Sequence, residues 1–334
     1  MGTRADRSPT GPSGGGSGGA VHENTAHLRA RRRAQARTGW MFLAPFAALF
    51  TLCFIVPIVV AIRASFYRAT PSGGGLYGGG TLVDTFVGFA NYAQVVTSTA
   101  FWDGMGRVLL FGAIQIPVMI FGALGLALLL DSLLIHRVGA FRLGFFLPFA
   151  IPGVIAALIW TYLYSPSLSP LRKGLASLSG LTGADLSVDF FAPHVVLFSM
   201  ANMTTWTFTG YNMLIFLAAL QAIPEDLYEA ARLDGASGWQ IVAKIKVPMV
   251  RSAALLAVLL SIIGTVQLFN EPAVMATVNT WMGKDYTPMM MAYHSMMGSI
   301  SPSGDGPASA ISIVMALIAG LLAGVYALVQ RKAA

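Results

Sequence analysis

Long apolar segments alternate with shorter polar connections along most of the chain. An apolar run of about 20 residues, each rising ~1.5 Å, is long enough to cross the hydrocarbon core of a bilayer as a helix. The predicted spans cover residues 39–62, 107–130, 143–164, 194–222, 250–270 and 308–329. We therefore predict an all-α polytopic membrane protein in which six transmembrane helices form one domain over residues 39–332.

The composition agrees with a membrane protein and excludes several other classes. Hydrophobic residues make up 55% of the 334 residues and charged residues only 10%, against about 25% charged residues in soluble domains. The net charge of +7 does not predict a nucleic-acid partner, because the basic residues are dispersed between apolar spans. Cys53 is the single cysteine, so no disulfide can form within the chain.

The first 38 residues differ from the rest of the chain. Residues 1–28 are rich in glycine, serine, proline and arginine, and an arginine cluster follows at 29–37. Such a composition cannot bury a core, so we predict a disordered, basic tail over residues 1–38. A basic segment before an apolar run also resembles a signal peptide, but the run from Gly39 to Ile62 is too long for one. We therefore predict a retained first helix.

The distribution of lysine and arginine predicts the orientation in the membrane. With a cytoplasmic N-terminus, the long connections at 63–106, 165–193 and 271–307 lie outside, and the short ones at 131–142 and 223–249 lie inside. Fifteen basic residues then lie inside and six outside, which satisfies the positive-inside rule. Both termini are therefore expected in the cytoplasm. Arg63 and Arg68 are the exceptions that fit least well.

The sequence of the connection at residues 223–248 predicts two consecutive short helices. Pro224 suits the first position of a helix, where no N–H is needed. Gly235 ends the first helix as a residue that tolerates positive φ. Ser237 is expected to cap the second helix and Pro248 to stop it.

Within this connection, Glu229-Ala230-Ala231 is followed by Asp234-Gly235-Ala236, and then by Ile245 and Pro248. The pattern resembles the coupling (EAA) loop of ABC-importer permeases, in the carbohydrate-uptake, maltose-permease-like branch. The resemblance extends over about residues 40–334 through the following further matches: Pro45, Pro57, Ser65-Phe66, Gly88–Tyr92, Phe141-Arg142, Leu147-Pro148, Pro152 and Trp160. The chain departs from the family after the fifth span, where Asn270-Glu271-Pro272 stands in place of a common Gly-Gly-Pro.

The resemblance implies a fold, a location and partners. It implies the type I ABC importer permease (MetI-like) fold in the bacterial plasma (inner) membrane. The implied partners are a second homologous permease subunit, two ATP-binding subunits and an extracytoplasmic solute-binding protein. ATP and Mg²⁺ are expected on the partner ATPase, and no cofactor on this chain. The implied coupling residues in the 223–248 loop are Glu229, Ala230, Ala231, Asp234, Gly235 and Ala236.

The chain is not expected to be an enzyme. Its sequence has no Gly-x-x-x-x-Gly-Lys-Ser/Thr phosphate-binding loop, so ATP hydrolysis is expected only on the partner. No catalytic constellation is evident, and the methionines at 289–291 and 296–297 near His294 favour apolar packing over a metal site.

Polar and aromatic side chains share faces of the predicted fourth and fifth helices. Thr204, Phe208 and Tyr211 follow at i, i+4 and i+7, and Ser261 and Thr265 at i and i+4. Such a face suits a sugar, whose C–H groups stack on aromatic rings while its hydroxyls form hydrogen bonds.

The family resemblance adds Phe149 and Gly153 on the third helix to this substrate pathway. Two explanations that involve no solute remain open for the polar residues of these spans. Serine and threonine in membrane helices often bond to their own i−4 carbonyl or to a neighbouring helix. Asn270 and Glu271 are expected near the outer boundary, where solvation accounts for them.

A stand-alone secondary carrier or channel for a small polar solute is the alternative function. It requires an ion or proton site within the membrane. The formally charged residues are expected at the connections, which argues against a carrier, and the 223–248 loop favours the importer.

Overall fold

The computed structural model describes residues 35, 37–72, 81–132, 137–166, 169–183 and 188–333. The predicted disordered tail lies outside these residues, except for its last few positions. Among those, Arg37 already belongs to the first helix, α1 (Arg37–Ala64), which therefore begins two residues before the predicted start.

Two compact units divide the chain, at residues 1–60 and 61–334. The described part of the first unit is α1 up to Val60, in which Phe50 stacks on Phe46 and on Phe54.

The second unit consists mostly of helices. After α1 come α2 (Ala90–Thr97), α3 (Thr99–Asp131), α4 (Val138–Phe146), α5 (Gly153–Tyr164), α6 (Pro170–Thr182), α7 (Val196–Gln221), α8 (Glu225–Leu233), α9 (Gly238–Ile241), α10 (Arg251–Val266), α11 (Asn270–Met275), α12 (Pro288–Met296) and α13 (Asp305–Ala333). Within the described residues, four helices are long and apolar enough to cross a membrane, and the number reaches six if each of two bent helix pairs is one span. Six spans were predicted.

The third predicted span is not one straight helix. The segments Val138–Ala150 and Gly153–Tyr164 meet at an angle of 96°. Pro152 causes the break, because proline lacks an N–H and pushes the residue before it into an extended conformation. Ile151 accordingly has φ −80° and ψ 129°. The span predicted over 143–164 is therefore bent at this point.

Two other spans have a bound that differs from the predicted one by five residues or more. α3 begins at Thr99 and not at 107, because Ser98 caps it by accepting a hydrogen bond from the Phe101 N–H at 3.3 Å. The fifth span extends to Met275, with an irregular break at residues 267–269 between α10 and α11.

The core of the second unit lies between α3 and α7, which pack along much of their length. Met119 and Ala123 on α3 pack in one cluster with Met213, Phe216 and Leu217 on α7. These side chains are buried, so the two helices form the rigid centre against which α10 and α4 lie.

One hairpin departs from the all-α prediction. Strands β1 (Tyr67–Ser72) and β2 (Thr81–Phe86) pair antiparallel, with Tyr67 opposite Phe86. The buried amide of Asn91 secures its base, because Nδ2 donates to the carbonyl oxygens of Ser65 at 2.8 Å and of Tyr67 at 2.9 Å. Arg68, which fits the charge rule poorly, donates to Oδ1 of the same amide at 2.9 Å from Nε.

We expect Asn91→Asp to destabilise this end of the molecule by about 1–3 kcal/mol, because it leaves two carbonyls without a donor while keeping an acceptor for Arg68. Thermal unfolding of the purified protein in detergent measures the change. Gln94→Glu is the matched control, since Gln94 also accepts from Arg68 but is exposed. Equal unfolding temperatures for the two variants would contradict the role of the Asn91 donor.

Candidate functional site

A cavity of about 410 Å³ opens among α3, α7, α10, α11 and the turn that follows α4. Its volume lies in the range of small-molecule sites, roughly 300–1,000 Å³. The cavity adjoins the two places where a predicted span is broken, at residues 147–152 and 267–269. Broken membrane helices are tolerated where they line a cavity.

Six of the seven predicted pathway residues line this cavity: Phe149, Thr204, Phe208, Tyr211, Ser261 and Thr265. The Phe149 ring stacks on the Tyr211 ring with centroids 4.6 Å apart, and it meets the Phe208 ring edge-on at 5.7 Å. The three rings therefore form one aromatic wall, built from the turn after α4 and one face of α7.

Gly153, the seventh, is not among the lining residues. A Cβ atom at this position would lie 2.8 Å from Nδ2 of Asn270. The absence of a side chain at the start of α5 therefore lets the Asn270 amide approach, and Asn270 does line the cavity. Gly153 shapes the cavity through Asn270.

Two of the hydroxyl groups make the hydrogen bonds within the protein that were considered as alternatives to solute binding. Ser261 Oγ donates to the carbonyl oxygen of Ala257, its own i−4 residue, at 2.8 Å. Thr204 Oγ1 bridges helices by donating to Oε1 of Glu271 at 3.1 Å. The Thr265 methyl group packs closely on Gly112 of α3. Each hydroxyl still lies at the cavity wall.

Asn270 and Glu271, which were expected near the outer boundary, both line the cavity and lie in the fifth span, which extends to Met275. The expectation that charged residues lie at the connections is wrong for Glu271, because it belongs to this span. Three further polar residues of the lining were not predicted as site residues: Gln115, Asn212 and Gln267. Their polar side chains inside apolar spans were the available signal.

The amide nitrogens of Gln115 and Asn212 both point at the sulfur of Met119, at 3.1 and 3.5 Å. Thioether sulfur is a weak acceptor. Asn212 also donates to the Phe208 carbonyl oxygen at 3.0 Å. The Gln115 amide therefore has donor capacity that a polar solute can engage.

The second candidate surface is the connection at residues 223–248, which forms α8 and the helical turns from α9 to Met249. Gly235 has φ +81°, and the Ala236 N–H donates to the Ala231 carbonyl oxygen at 2.9 Å. These features form the glycine-dependent end of α8 that was predicted. Ser237 and Gln240 then form the capping box of the next helix.

Two details of this loop differ from the prediction. Pro224 is the residue before the helix and not its first residue, since α8 begins at Glu225. Pro248 does not stop the second helix, because the chain stays helical through a π-helical turn at Val242–Lys246 and a further turn at Val247–Met249.

The predicted coupling residues belong to α8 and to the bend that follows it. Glu229, Ala230, Asp234 and Gly235 are exposed, and Ala231 and Ala236 are half-buried. Two large apolar side chains flank them, Leu233 at 89% exposure and Trp239 at 77%. Exposed apolar groups beside a polar helix are typical of a protein contact surface.

One ammonium group ties the loop to the spans. Lys246 Nζ lies 2.5 Å from Oδ2 of Asp131 at the end of α3, and each side chain is only 14% exposed. The same Nζ lies 5.1 Å from the centre of the Tyr228 ring on α8. Lys246 therefore connects the loop to the helix that carries Gln115 and Met119 into the cavity.

The inner membrane component family of binding-protein-dependent transport systems matches residues 138–334. The chain belongs to this family. It is accordingly a multi-pass membrane protein, and its family supplies the membrane-spanning subunits of such transport systems. The match includes both the 223–248 loop and most of the cavity lining.

Two similar proteins are named for the transport system to which they belong, and each similarity covers 70% or more of this chain. It is 31% identical over 236 residues to the lactose transport system permease protein LacF of Rhizobium radiobacter, covering 70% of this chain and 74% of that protein. It is 29% identical to the trehalose transport system permease protein SugA of Mycobacterium tuberculosis H37Rv, covering 72% of this chain and 73% of that protein.

The fold matches a solved structure of a bacterial ABC transporter that imports the acidic polysaccharide alginate. The TM-score is 0.72 at 18% identity, and the match covers 90% of this chain and 99% of the other. The chain therefore has the fold of an ABC importer permease, as predicted.

Proposed function

We propose that this chain is the permease subunit of an ATP-driven ABC importer for a sugar or sugar-like solute. The observation that supports this most strongly is the cavity, where an aromatic wall faces amide, hydroxyl and carboxyl groups. Carbohydrates present both C–H faces and hydroxyls to such a surface. The names of the lactose and trehalose permeases agree with the proposal.

The loop at residues 223–248 docks on a separate ATPase in this proposal. Leu233 and Trp239 supply exposed apolar surface for the contact, and Gly235 sets the bend between the two helices. ATP and Mg²⁺ bind on the partner ATPases, whose closure moves this chain and a second permease from inward-facing to outward-facing as rigid bodies. Both termini of this chain lie on the cytoplasmic side, with the loop.

A solute-binding protein delivers the solute on the opposite side of the membrane. Ligand identification on the cognate binding protein, followed by uptake of that ligand into proteoliposomes holding the complete importer, tests the proposal. We expect a saccharide or a polyol and an absolute requirement for ATP inside the liposomes. Uptake that persists without any ATPase subunit would favour a stand-alone carrier.

The Lys246–Asp131 pair is expected to transmit movement of the loop to α3. Lys246→Met leaves Asp131 unpaired in a largely buried position, which we expect to lower stability by about 3 kcal/mol and to reduce uptake. Thermal unfolding and uptake rates measure the two effects. Lys244→Met is the matched control, because Lys244 lies on the same turn and is exposed.

A second variant separates pairing from simple damage to the loop. Adding Asp131→Asn to Lys246→Met removes the unpaired carboxylate, so the double variant should recover most of the lost stability. A double variant as unstable as the sum of the two single ones would contradict the pairing.

A further inference from the structure

We propose that Glu271 makes this chain's face of the cavity selective against anionic solutes, so that the cargo is a neutral or amino-bearing polyhydroxylated molecule. The inference rests on the proposed function of the cavity as the solute pathway. On this face of the cavity, sugar phosphates, uronic acids and sulfonated sugars are disfavoured.

The first observation is the charge of the lining. Among the described residues that line the cavity, Glu271 is the only side chain of an acidic or basic amino acid. The others are apolar, aromatic, amide or hydroxyl side chains, or glycine. Arg107 on α3 is engaged elsewhere, because Nη1 donates to the Tyr286 carbonyl oxygen at 3.1 Å and the guanidinium lies over the Tyr286 ring.

The second observation is how the carboxyl group is held. Thr204 Oγ1 donates to Oε1 of Glu271 at 3.1 Å, which fixes the carboxyl group of the fifth span against α7. The aromatic wall begins one turn further along α7, at Phe208. A solute that stacks on the wall therefore lies beside an oxygen-rich group that accepts hydrogen bonds.

The energetics of an anion at this place are unfavourable. A charge removed from water needs a partner of opposite sign, and this face offers none. The Glu271 carboxylate adds direct repulsion to this cost. Sugar hydroxyls, in contrast, can donate to Glu271 and accept from the Gln115 amide, and an ammonium substituent gains a charge partner.

Charged thiol reagents measure this selectivity without knowledge of the cargo. The experiment uses the complete importer in native membranes, with Cys53→Ser removing the single native cysteine. Ser261→Cys and, separately, Thr265→Cys place a thiol at the cavity wall. Three methanethiosulfonates serve as probes, carrying trimethylammonium, hydroxyethyl or sulfonate groups. Thr97→Cys, at an exposed position outside the cavity, corrects for their intrinsic reactivities.

We expect the corrected rate for the cationic reagent to exceed that for the anionic one by about tenfold at both cavity positions. We expect Glu271→Gln to reduce the ratio by at least about threefold, because one full charge is removed. The hydroxyethyl reagent should react at similar rates with and without Glu271→Gln.

Equal rates for cationic and anionic reagents, or a ratio unchanged by Glu271→Gln, would overturn the inference. Failure of the neutral reagent to react at both positions would also overturn it, because the cavity would then be closed to small polar molecules. Equal rates, or a ratio unchanged by Glu271→Gln, in an importer that still couples to its ATPase would leave the proposed function intact, whereas absence of an ATPase partner removes that function by itself.

Discussion

Gly235→Asp is expected to reduce ATP-dependent uptake at least tenfold while the membrane helices stay folded. Gly235 has φ +81°, a conformation that costs a residue with a Cβ atom about 1–2 kcal/mol. The strain falls on the bend between α8 and α9, and the new carboxylate adds negative charge next to Asp234. Both effects misplace the surface that we propose for the ATPase contact.

The control variant introduces the same backbone strain at another glycine with positive φ. Gly298 has φ +71° and, like Gly235, has open space where a Cβ would lie. Gly298→Asp should therefore keep uptake near the wild-type rate. Uptake rates in proteoliposomes, with unfolding temperatures measured in parallel, distinguish uncoupling from misfolding. Wild-type uptake by Gly235→Asp would remove the coupling role of this bend.

Gly210→Ala is expected to cause the largest loss of stability, about 3 kcal/mol or more, because overpacking of two backbones has no cheap relief. A Cβ atom at Gly210 on α7 would lie 1.8 Å from the carbonyl oxygen of Phe145 on α4. The helices must separate to accept it. Because Phe149 follows α4 and Tyr211 follows Gly210, separation also disrupts the stacked aromatic wall.

Unfolding temperature in detergent and the yield of folded protein measure this effect. The control is Gly122→Ala on α3, where a Cβ would meet nothing within 4 Å. Alanine is a better helix former than glycine by roughly 1 kcal/mol, so Gly122→Ala should be neutral or stabilising. An unfolding temperature for Gly210→Ala equal to that of Gly122→Ala would show that α4 and α7 do not approach closely.

Local sequence patterns were sufficient for much of the fold. Runs of apolar residues predicted the spans, because length and hydropathy alone determine which segments can cross a bilayer. Helical spacing placed Thr204, Phe208 and Tyr211 on one face, and all three line the cavity. Gly235 and Ser237 were predictable because their roles depend only on neighbouring residues.

Features that depend on tertiary contacts were missed. Nothing local shows that Lys246 pairs with Asp131, since they are 115 residues apart in the chain. Glu271 was expected at a solvated boundary because the predicted fifth span ended at residue 270. In the structure the span continues beyond the break at residues 267–269 to Met275. Pro152 is a local signal for the 96° bend, because proline interrupts a helix at the residue before it.

Cross-linking from the loop tests the central claim, that a separate ATPase drives this chain through residues 223–248. A cysteine replaces Trp239 in a chain carrying Cys53→Ser, and a second chain carries Val83→Cys on the hairpin instead; both positions are exposed. Membranes holding the complete importer are treated with a short bifunctional maleimide. We expect an adduct with the ATP-binding subunit from Trp239→Cys and none from Val83→Cys. An adduct from Val83→Cys, or from neither position, would contradict the central claim.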